Sequence, residues 1–210
     1  MTPRIILSES DIAEGMDWLA ACEPQFAQVA LLTGPWPLRR REEGFAALRD
    51  AILGQQVSVA SANAMRGRLL AAGLGAPEAI AVATAEDLRA CGLSRQKIVY
   101  LQALARAGID FSALRGMPDA AVMERLLPLP GIGCWTVEMY LIFALGRSDV
   151  FAVDDLALAE AARLLFRLPA RPKRGEFHDM ALRWSPWRAV AARGLWAYYA
   201  HLKQREGVAP

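Results

Sequence analysis

Residues 128–146 of this chain of 210 residues, PLPGIGCWTVEMYLIFALG, carry its clearest structural signal. The prolines Pro128 and Pro130 end one helix, and the glycines Gly131 and Gly133 permit a tight turn. The residues that follow return to a helical spacing of apolar side chains. The stretch therefore predicts two helices joined by a tight hairpin.

This hairpin offers backbone amides to a ligand. At the start of a helix the first N–H groups have no partner within the helix, and the helix dipole makes that end partly positive. Such an arrangement binds a phosphate without reading base sequence. The same residues also suit an ordinary connection between helices, because proline and glycine interrupt many of them. The hairpin alone leaves both interpretations open.

Outward from the hairpin, apolar residues recur at helical spacing almost everywhere, and no segment alternates with a period of two between turn signals. The sequence therefore predicts an all-α protein. The predicted helices are Ser8 or Ser10 to Cys22, one centred near Ala27, two within 44–73 with a turn at Gly54 to Gln56, Thr84–Cys91, Ser94 to about Ala107, the two flanking the hairpin, Leu156–Arg167, and two separated by Pro186.

Composition excludes several classes of protein. The chain is 54% hydrophobic, but no run of about 18 residues lacks charge, so we expect no membrane span. Its first residues do not form a basic segment followed by an apolar one, so we expect no signal peptide and a cytoplasmic location. A net charge of +2 permits a polyanionic partner without identifying one.

Cysteines and histidines do not form a metal-binding pattern. Cys22, Cys91 and Cys134 are odd in number and contain no C-x-x-C pair, which argues against disulfides, zinc and iron–sulfur clusters. His178 and His201 share no ligand spacing. We therefore expect three free, mostly buried thiols, no metal site and no cofactor.

Two adjacent aspartates follow the hairpin helix. Asp154 and Asp155 stand at the start of a predicted helix, and Asp155 lies twenty residues beyond Trp135. One of them is expected to be the N-cap of that helix, which leaves the other without a structural explanation. A carboxylate near an anion-binding hairpin can stabilise a developing positive charge or align a water molecule.

At these residues the sequence resembles the helix-hairpin-helix (HhH-GPD) superfamily of base-excision DNA glycosylases, through LPGIGCWTVEMY and DVFAVDDLAL. AILGQQVSVA and RWSPWRAVAARGLWAYY are similar to the bacterial 3-methyladenine DNA glycosylase II branch, and together the matches span Phe45 to Tyr199. The resemblance implies hydrolysis of the N-glycosidic bond of alkylated purines, such as 3-methyladenine and 7-methylguanine, after base flipping. It implies double-stranded DNA carrying such bases as the partner, and we expect a monomer.

The resemblance also assigns roles to residues. It makes Asp155 the catalytic carboxylate, with Asp154 as the fallback, and it places Trp135 and Trp196 in the base pocket. Met139 and Leu156 stand where further pocket aromatics are expected. The residues expected to contact DNA are Gln55, Gln56, Ser58, Leu129, Gly131, Ile132 and Gly133, with the turn at Gln55 and Gln56 filling the gap left by the flipped nucleotide.

The same comparison predicts a monofunctional enzyme. Trp135 holds the position where members that also cut the backbone carry a lysine, and an indole cannot form a Schiff base. Lys97 and Lys173 lie outside the hairpin. Alkylation at N3 or N7 makes a purine cationic and a good leaving group, so an aromatic wall and one carboxylate suffice without a cofactor.

The sequence departs from this branch in places. Only 50 residues precede AILGQQ, which predicts a short form without the N-terminal β domain. The gap-filling residue is glutamine where the branch usually has an apolar one, and with fewer pocket aromatics we expect 3-methyladenine to be released faster than 7-methylguanine or hypoxanthine. Gln56 suits an exposed turn equally well, and Trp184 and Trp187 are interpreted as structural. The basic stretches 38–41 and 171–174 suit solvated loops better than phosphate contacts.

We expect two helical lobes with a DNA-binding cleft between them. Residues 44–147, with the hairpin at 128–134, form one lobe, and 1–43 pack with 148–210 in the other. Three alternatives stay open: a helix-hairpin-helix module that binds DNA without catalysis, a glycosylase for another base lesion, and an unrelated helical scaffold, which salt-dependent DNA binding would exclude.

Overall fold

A computed structural model describes residues 4–205, and these residues are mainly helical. Within this range there is no β-sheet, and an isolated antiparallel bridge joins Ile5 to Arg147. The predicted all-α fold is confirmed. The helices are α1 (Glu9–Cys22), α2 (Pro24–Thr33), α3 (Phe45–Gly54), α4 (Val59–Ala71), α5 (Pro77–Val82), α6 (Ala85–Ala90), α7 (Arg95–Arg106), α8 (Phe111–Leu114), α9 (Asp119–Leu126), α10 (Cys134–Met139), a π-helical segment (Tyr140–Ala144), α11 (Leu156–Leu165), α12 (Arg174–Leu182) and α13 (Arg188–Arg205).

The chain divides into two compact units. The first comprises the described parts of Pro3–Arg40 and Leu141–Pro210, and the second is Arg41–Tyr140. No helix among residues 4–205 is long and apolar enough to cross a membrane.

In the second unit, α7 packs against α3, α5 and α6, and α3 also packs against α4. Leu48, Ile52, Leu69 and Leu101 are fully or almost fully buried between these helices. Burying such side chains supplies most of the stabilisation of a small helical unit. This packing fixes the C-terminal end of α3 and the first turns of α7, on which the candidate site is built.

In the first unit, α13 packs against α1, α2 and α11. An aromatic cluster completes this core: the ring of Trp184 lies edge-on to Phe26 at 5.4 Å and to Phe151 at 5.3 Å between centroids. Trp184 is fully buried and Trp187 is 2% exposed. The interpretation of these two tryptophans as structural is confirmed.

Hydroxyl side chains begin several of the helices, and at Ser8, Thr84 and Ser94 the sequence predicts a helix start. The hydroxyls of Ser8, Ser58, Thr84 and Ser94 each accept a hydrogen bond from a backbone amide in the first turn of the helix that follows. Such caps satisfy amides that the helix itself leaves unpaired.

Some expectations about elements and thiols were wrong. The short helices α5 and α8 were not predicted, because four to six residues are too few to display a helical period. α11 ends at Leu165 instead of Arg167, which adopts a left-handed conformation with φ 54°. The thiols are not mostly buried, since Cys91 is buried, Cys22 exposed and Cys134 intermediate.

Candidate functional site

The predicted hairpin is present between α9 and α10. The backbone N–H of Leu129 donates to the carbonyl of Leu126 at 3.1 Å, and the N–H of Ile132 donates to the carbonyl of Leu129 at 3.1 Å. The Ile132 side chain is buried, and that of Leu129 is half-buried. The hairpin therefore has a compact conformation that is closed by its own backbone.

The two glycines of the hairpin have different surroundings. Gly131 has φ +82°, and a Cβ atom there would lie 2.2 Å from the ring of Tyr100 on α7. Gly133 is exposed, has φ −97°, and a Cβ atom there would meet open space. The fold requires a glycine at position 131, whereas nothing in the protein itself requires one at 133.

A turn between α3 and α4 lies next to the hairpin within the second unit. We call residues 55–57 the glutamine turn. Gln56 is exposed and has φ 58°, an uncommon conformation for a residue with a side chain. The side-chain amide of Gln55 donates to the carbonyl of Gly131 at 2.7 Å, and Ser58 caps α4 through the amide of Ser61.

The glutamine turn and the hairpin together border an open groove of about 710 Å³. Trp135, at the start of α10, lines the groove and is 46% exposed. Met139 is 9% exposed, toward the end of α10, outside this lining. Of the residues predicted to contact DNA or the base, the groove brings together Gln55, Gln56, Gly131, Ile132, Gly133 and Trp135.

Lys97 binds the backbone at the start of the glutamine turn, a role that the sequence did not predict. Its ammonium group donates to the carbonyls of Ile52, Leu53 and Gln55 at 2.7, 2.8 and 2.8 Å. The side chain is buried, and desolvation lowers the pKa of Lys97. Helical periodicity marks the face of α7 on which Lys97 lies but not the carbonyls that it meets, so the sequence carried no signal of this contact.

The first unit contains the paired aspartates. Asp155 is the N-cap of α11, and its Oδ1 accepts hydrogen bonds from the amides of Ala157 at 2.9 Å and Leu158 at 3.0 Å. Asp154 pairs with the guanidinium group of Arg174. The N-cap expected of one aspartate thus falls on the residue also predicted to be catalytic, and the cap fixes the orientation of its carboxylate.

The remaining predicted pocket residues also lie in the first unit. Trp196, on α13, packs against Phe143 with 5.6 Å between ring centroids, and Leu156 is 71% exposed at the start of α11. The buried guanidinium group of Arg193 lies 5.0 Å from the centroid of Phe143 and donates to the carbonyls of Leu38, Ala189 and Ile142. Phe143 and Arg193 were missed because both belong to apolar helical runs.

The basic loop before α12 is held by carboxylates. Arg171 pairs with Glu160 on α11, which also pairs with Arg163. Hydrogen bonds from these two guanidinium groups lower the pKa of Glu160 to about 2. Two arginines of the 171–174 stretch, Arg171 and Arg174, are therefore engaged in ion pairs.

A metal site is not visible in the described part of the chain, residues 4–205. No group of three or more histidine, cysteine, aspartate or glutamate side chains there is arranged to hold an ion.

Comparisons with known proteins agree with this geometry. The family model described as "HhH-GPD superfamily base excision DNA repair protein" matches residues 50–186. DNA-3-methyladenine glycosylase 1 of Schizosaccharomyces pombe is 32% identical over 190 residues, 85% of this chain and 83% of that protein. The alkylbase DNA glycosidase-like protein mag2 of the same organism is 27% identical over 200 residues, 90% of this chain and 94% of that protein.

Solved structures give the same result. The S. pombe 3-methyladenine DNA glycosylase Mag1 in complex with abasic DNA has a TM-score of 0.76 and 32% identity, and the match covers 87% of this chain and 95% of that one. DNA-3-methyladenine glycosidase from Bacillus halodurans has a TM-score of 0.78 and 28% identity over 98% of this chain and 95% of that one. The resemblance predicted from the hairpin and its aspartates is confirmed, and the chain belongs to the HhH-GPD superfamily of base excision DNA repair proteins.

Proposed function

We propose that the protein is a monofunctional DNA glycosylase that removes alkylated purines, such as 3-methyladenine and 7-methylguanine, from double-stranded DNA. The observation that carries the proposal is Asp155, a carboxylate held in one orientation by two helix amides in a chain of this superfamily. Relatives named DNA-3-methyladenine glycosylase support the choice of substrate class.

The proposed reaction requires few catalytic groups. Alkylation at N3 or N7 leaves the purine positively charged, so the bond from its nitrogen to the sugar breaks readily and positive charge develops on the sugar. The Asp155 carboxylate stabilises that charge or orients the water molecule that attacks it. Because the α11 amides already hold Oδ1, the carboxylate does not need to reorganise during the reaction.

The second unit supplies the DNA contacts in this proposal. Backbone amides of the hairpin, at Gly131 and Gly133, hold a phosphate, while Leu129 and Ile132 close the turn through the hydrogen bond from the Ile132 amide to the Leu129 carbonyl. Gln56 enters the space that the flipped nucleotide leaves, and Ser58 starts α4 beside it. Flipping costs a few kcal/mol and is least costly for a damaged, weakly paired base.

Recognition of the base falls to Trp135 and Trp196, with Met139 and Leu156 as non-aromatic members of the same set. An electron-rich indole attracts a cationic base through its face. Trp135 is suited to this contact because nearly half of its surface is exposed. With only two aromatic residues in the set, we expect 3-methyladenine to be released faster than 7-methylguanine or hypoxanthine. We further propose that the enzyme acts as a monomer and is found with the DNA of the cell.

The proposal is tested by incubating methylated duplex DNA with the wild type, Asp155→Asn and the matched control Asp154→Asn, and separating the freed bases by chromatography. Asparagine caps helices as well as aspartate does, so Asp155→Asn removes the charge and keeps the start of α11. We expect the wild type to release 3-methyladenine, Asp155→Asn to be at least about 100-fold slower, and Asp154→Asn to keep most of the activity.

Each outcome has a distinct meaning. Loss of activity in Asp154→Asn alone would exchange the roles of the two aspartates. Absence of any released purine from the wild type would contradict the proposed function and would favour a glycosylase for another lesion or a binding module without catalysis. DNA binding measured in parallel shows whether a variant has lost catalysis or has lost binding, because both variants are expected to bind DNA.

A further inference from the structure

Lys97 has an unusual environment for a buried lysine. Its ammonium group has three N–H donors, and all three are directed to carbonyl oxygens at the end of α3 and the start of the glutamine turn. The last carbonyls of a helix lack partners within it, and a cation at that end is favourable. These contacts compensate part of the cost of burying a charge, and they fix the point where α3 gives way to the turn.

The same helix face also contacts the hairpin. Tyr100 lies three residues after Lys97 on α7, so both side chains project from one face. The ring of Tyr100 lies directly beneath Gly131, and Gln55 ties the glutamine turn to the carbonyl of Gly131. α7 thus supports the turn through Lys97 and the hairpin through Tyr100, while Gln55 joins the two.

We propose that Lys97 is a positioning residue for base extrusion, one that never touches DNA but holds the glutamine turn at a fixed place relative to the phosphate-binding hairpin. Gln56 sits in a left-handed conformation that an isolated chain would rarely adopt, and the contacts on either side of it keep it there. The inference rests on the proposed function, because it assumes that the hairpin holds a phosphate and that Gln56 fills the gap.

The test compares the wild type with Lys97→Met, which keeps the length of the side chain and removes the ammonium group, and with Gln55→Leu, which removes the tie to Gly131. Equilibrium dissociation constants are measured for an undamaged duplex and for the same duplex with a tetrahydrofuran abasic site, over a range of salt concentrations. Lys173→Met, at an exposed lysine of the first unit, is the matched loss of charge.

We expect Lys97→Met to bind the undamaged duplex as the wild type does, with the same salt dependence. Both Lys97→Met and Gln55→Leu should lose about tenfold of the preference for the abasic duplex, whatever Gln55→Leu does to binding of the undamaged duplex. Lys173→Met should keep the preference. A general loss of stability would reduce binding to both duplexes alike, so the ratio of the two constants separates positioning from stability.

Two results would overturn the inference. If Lys97→Met weakens binding to both duplexes equally and reduces the steepness of log binding constant against log salt concentration by about 0.9, Lys97 contacts a phosphate directly. If neither variant changes the ratio of the two dissociation constants, the position of the turn does not depend on these contacts. Should Lys97→Met fail to fold, Gln55→Leu, which changes a half-buried side chain, provides the test of the ratio. Because the abasic duplex needs no catalysis, the ratio can be measured even if the wild type releases no alkylated base.

Discussion

At the scale of single residues, the two hairpin glycines serve different purposes. Gly131→Ala would place a Cβ atom 2.2 Å from a ring carbon of Tyr100 at a φ of +82°, so both the backbone and the packing oppose it. We expect the free energy of unfolding to fall by about 2 kcal/mol or more, measured by urea denaturation.

Gly133→Ala is expected to behave in the opposite way. Its φ of −97° suits any residue, and its Cβ atom would meet open space, so the only structural cost is a poorer N-cap, below about 1 kcal/mol. The added methyl group would instead occupy the place where a DNA phosphate approaches the hairpin amides. We expect weaker binding to duplex DNA, measured by fluorescence anisotropy. Unchanged binding would mean that DNA does not come close to this part of the hairpin.

At the scale of elements, α11 and the basic loop that follows Arg167 are joined by Glu160, whose pKa is lowered to about 2 by Arg163 and Arg171. A carboxyl with a lowered folded-state pKa adds stability above its unfolded value, near 4.5, and loses it as the pH falls toward 2. Because the arginines are partly exposed, we expect Glu160→Gln to cost about 1 kcal/mol at pH 7.

Urea denaturation of both proteins between pH 7 and pH 3 provides the measurement. The difference in the free energy of unfolding should stay constant down to about pH 5 and shrink below pH 4.5, because the Glu160 carboxyl of the unfolded wild type takes up a proton there while that of the folded protein stays ionised. A difference that is independent of pH would show that the ion pairs contribute nothing and that the loss came from packing. Glu86→Gln on α6, where the carboxylate is exposed and 3.8 Å from Arg89, is the matched control and should have little effect.

The helices themselves were largely predictable, because their signals are local. Ser8, Thr84 and Ser94 mark three helix starts that the structure confirms as N-caps. The contacts between elements were not predictable in the same way. Gln55 and Gly131 are 76 residues apart in sequence, and helical periodicity indicates only which face of a helix is buried, not which carbonyl a side chain will meet.

At the scale of the whole molecule, the resemblance of short motifs predicted the family, whereas the contacts that arise from packing were not predicted. The hairpin, the paired aspartates and two flanking segments predicted a superfamily that the comparisons confirm across residues 50–186. The resemblance gave no sign that Arg193 would bind three backbone carbonyls of the first unit or pack against Phe143. Such arrangements depend on the packing of whole units, which no short stretch of sequence encodes.

The lysines of the whole chain predict that the enzyme leaves the DNA backbone intact after base release. Lys97, Lys173 and Lys203 are the lysines of the sequence, and a lyase nucleophile must be an uncharged amine that reaches the abasic sugar. The Lys97 ammonium is enclosed by three carbonyls, and Trp135 occupies the position after the hairpin at which a lysine nucleophile is expected. We therefore expect no covalent complex when the enzyme, abasic duplex and sodium borohydride are mixed, and full-length strands until hot alkali is added. If borohydride did trap the wild type and failed to trap Lys97→Met, the carbonyl enclosure would have to open on DNA, and both the monofunctional assignment and the positioning role of Lys97 would be wrong.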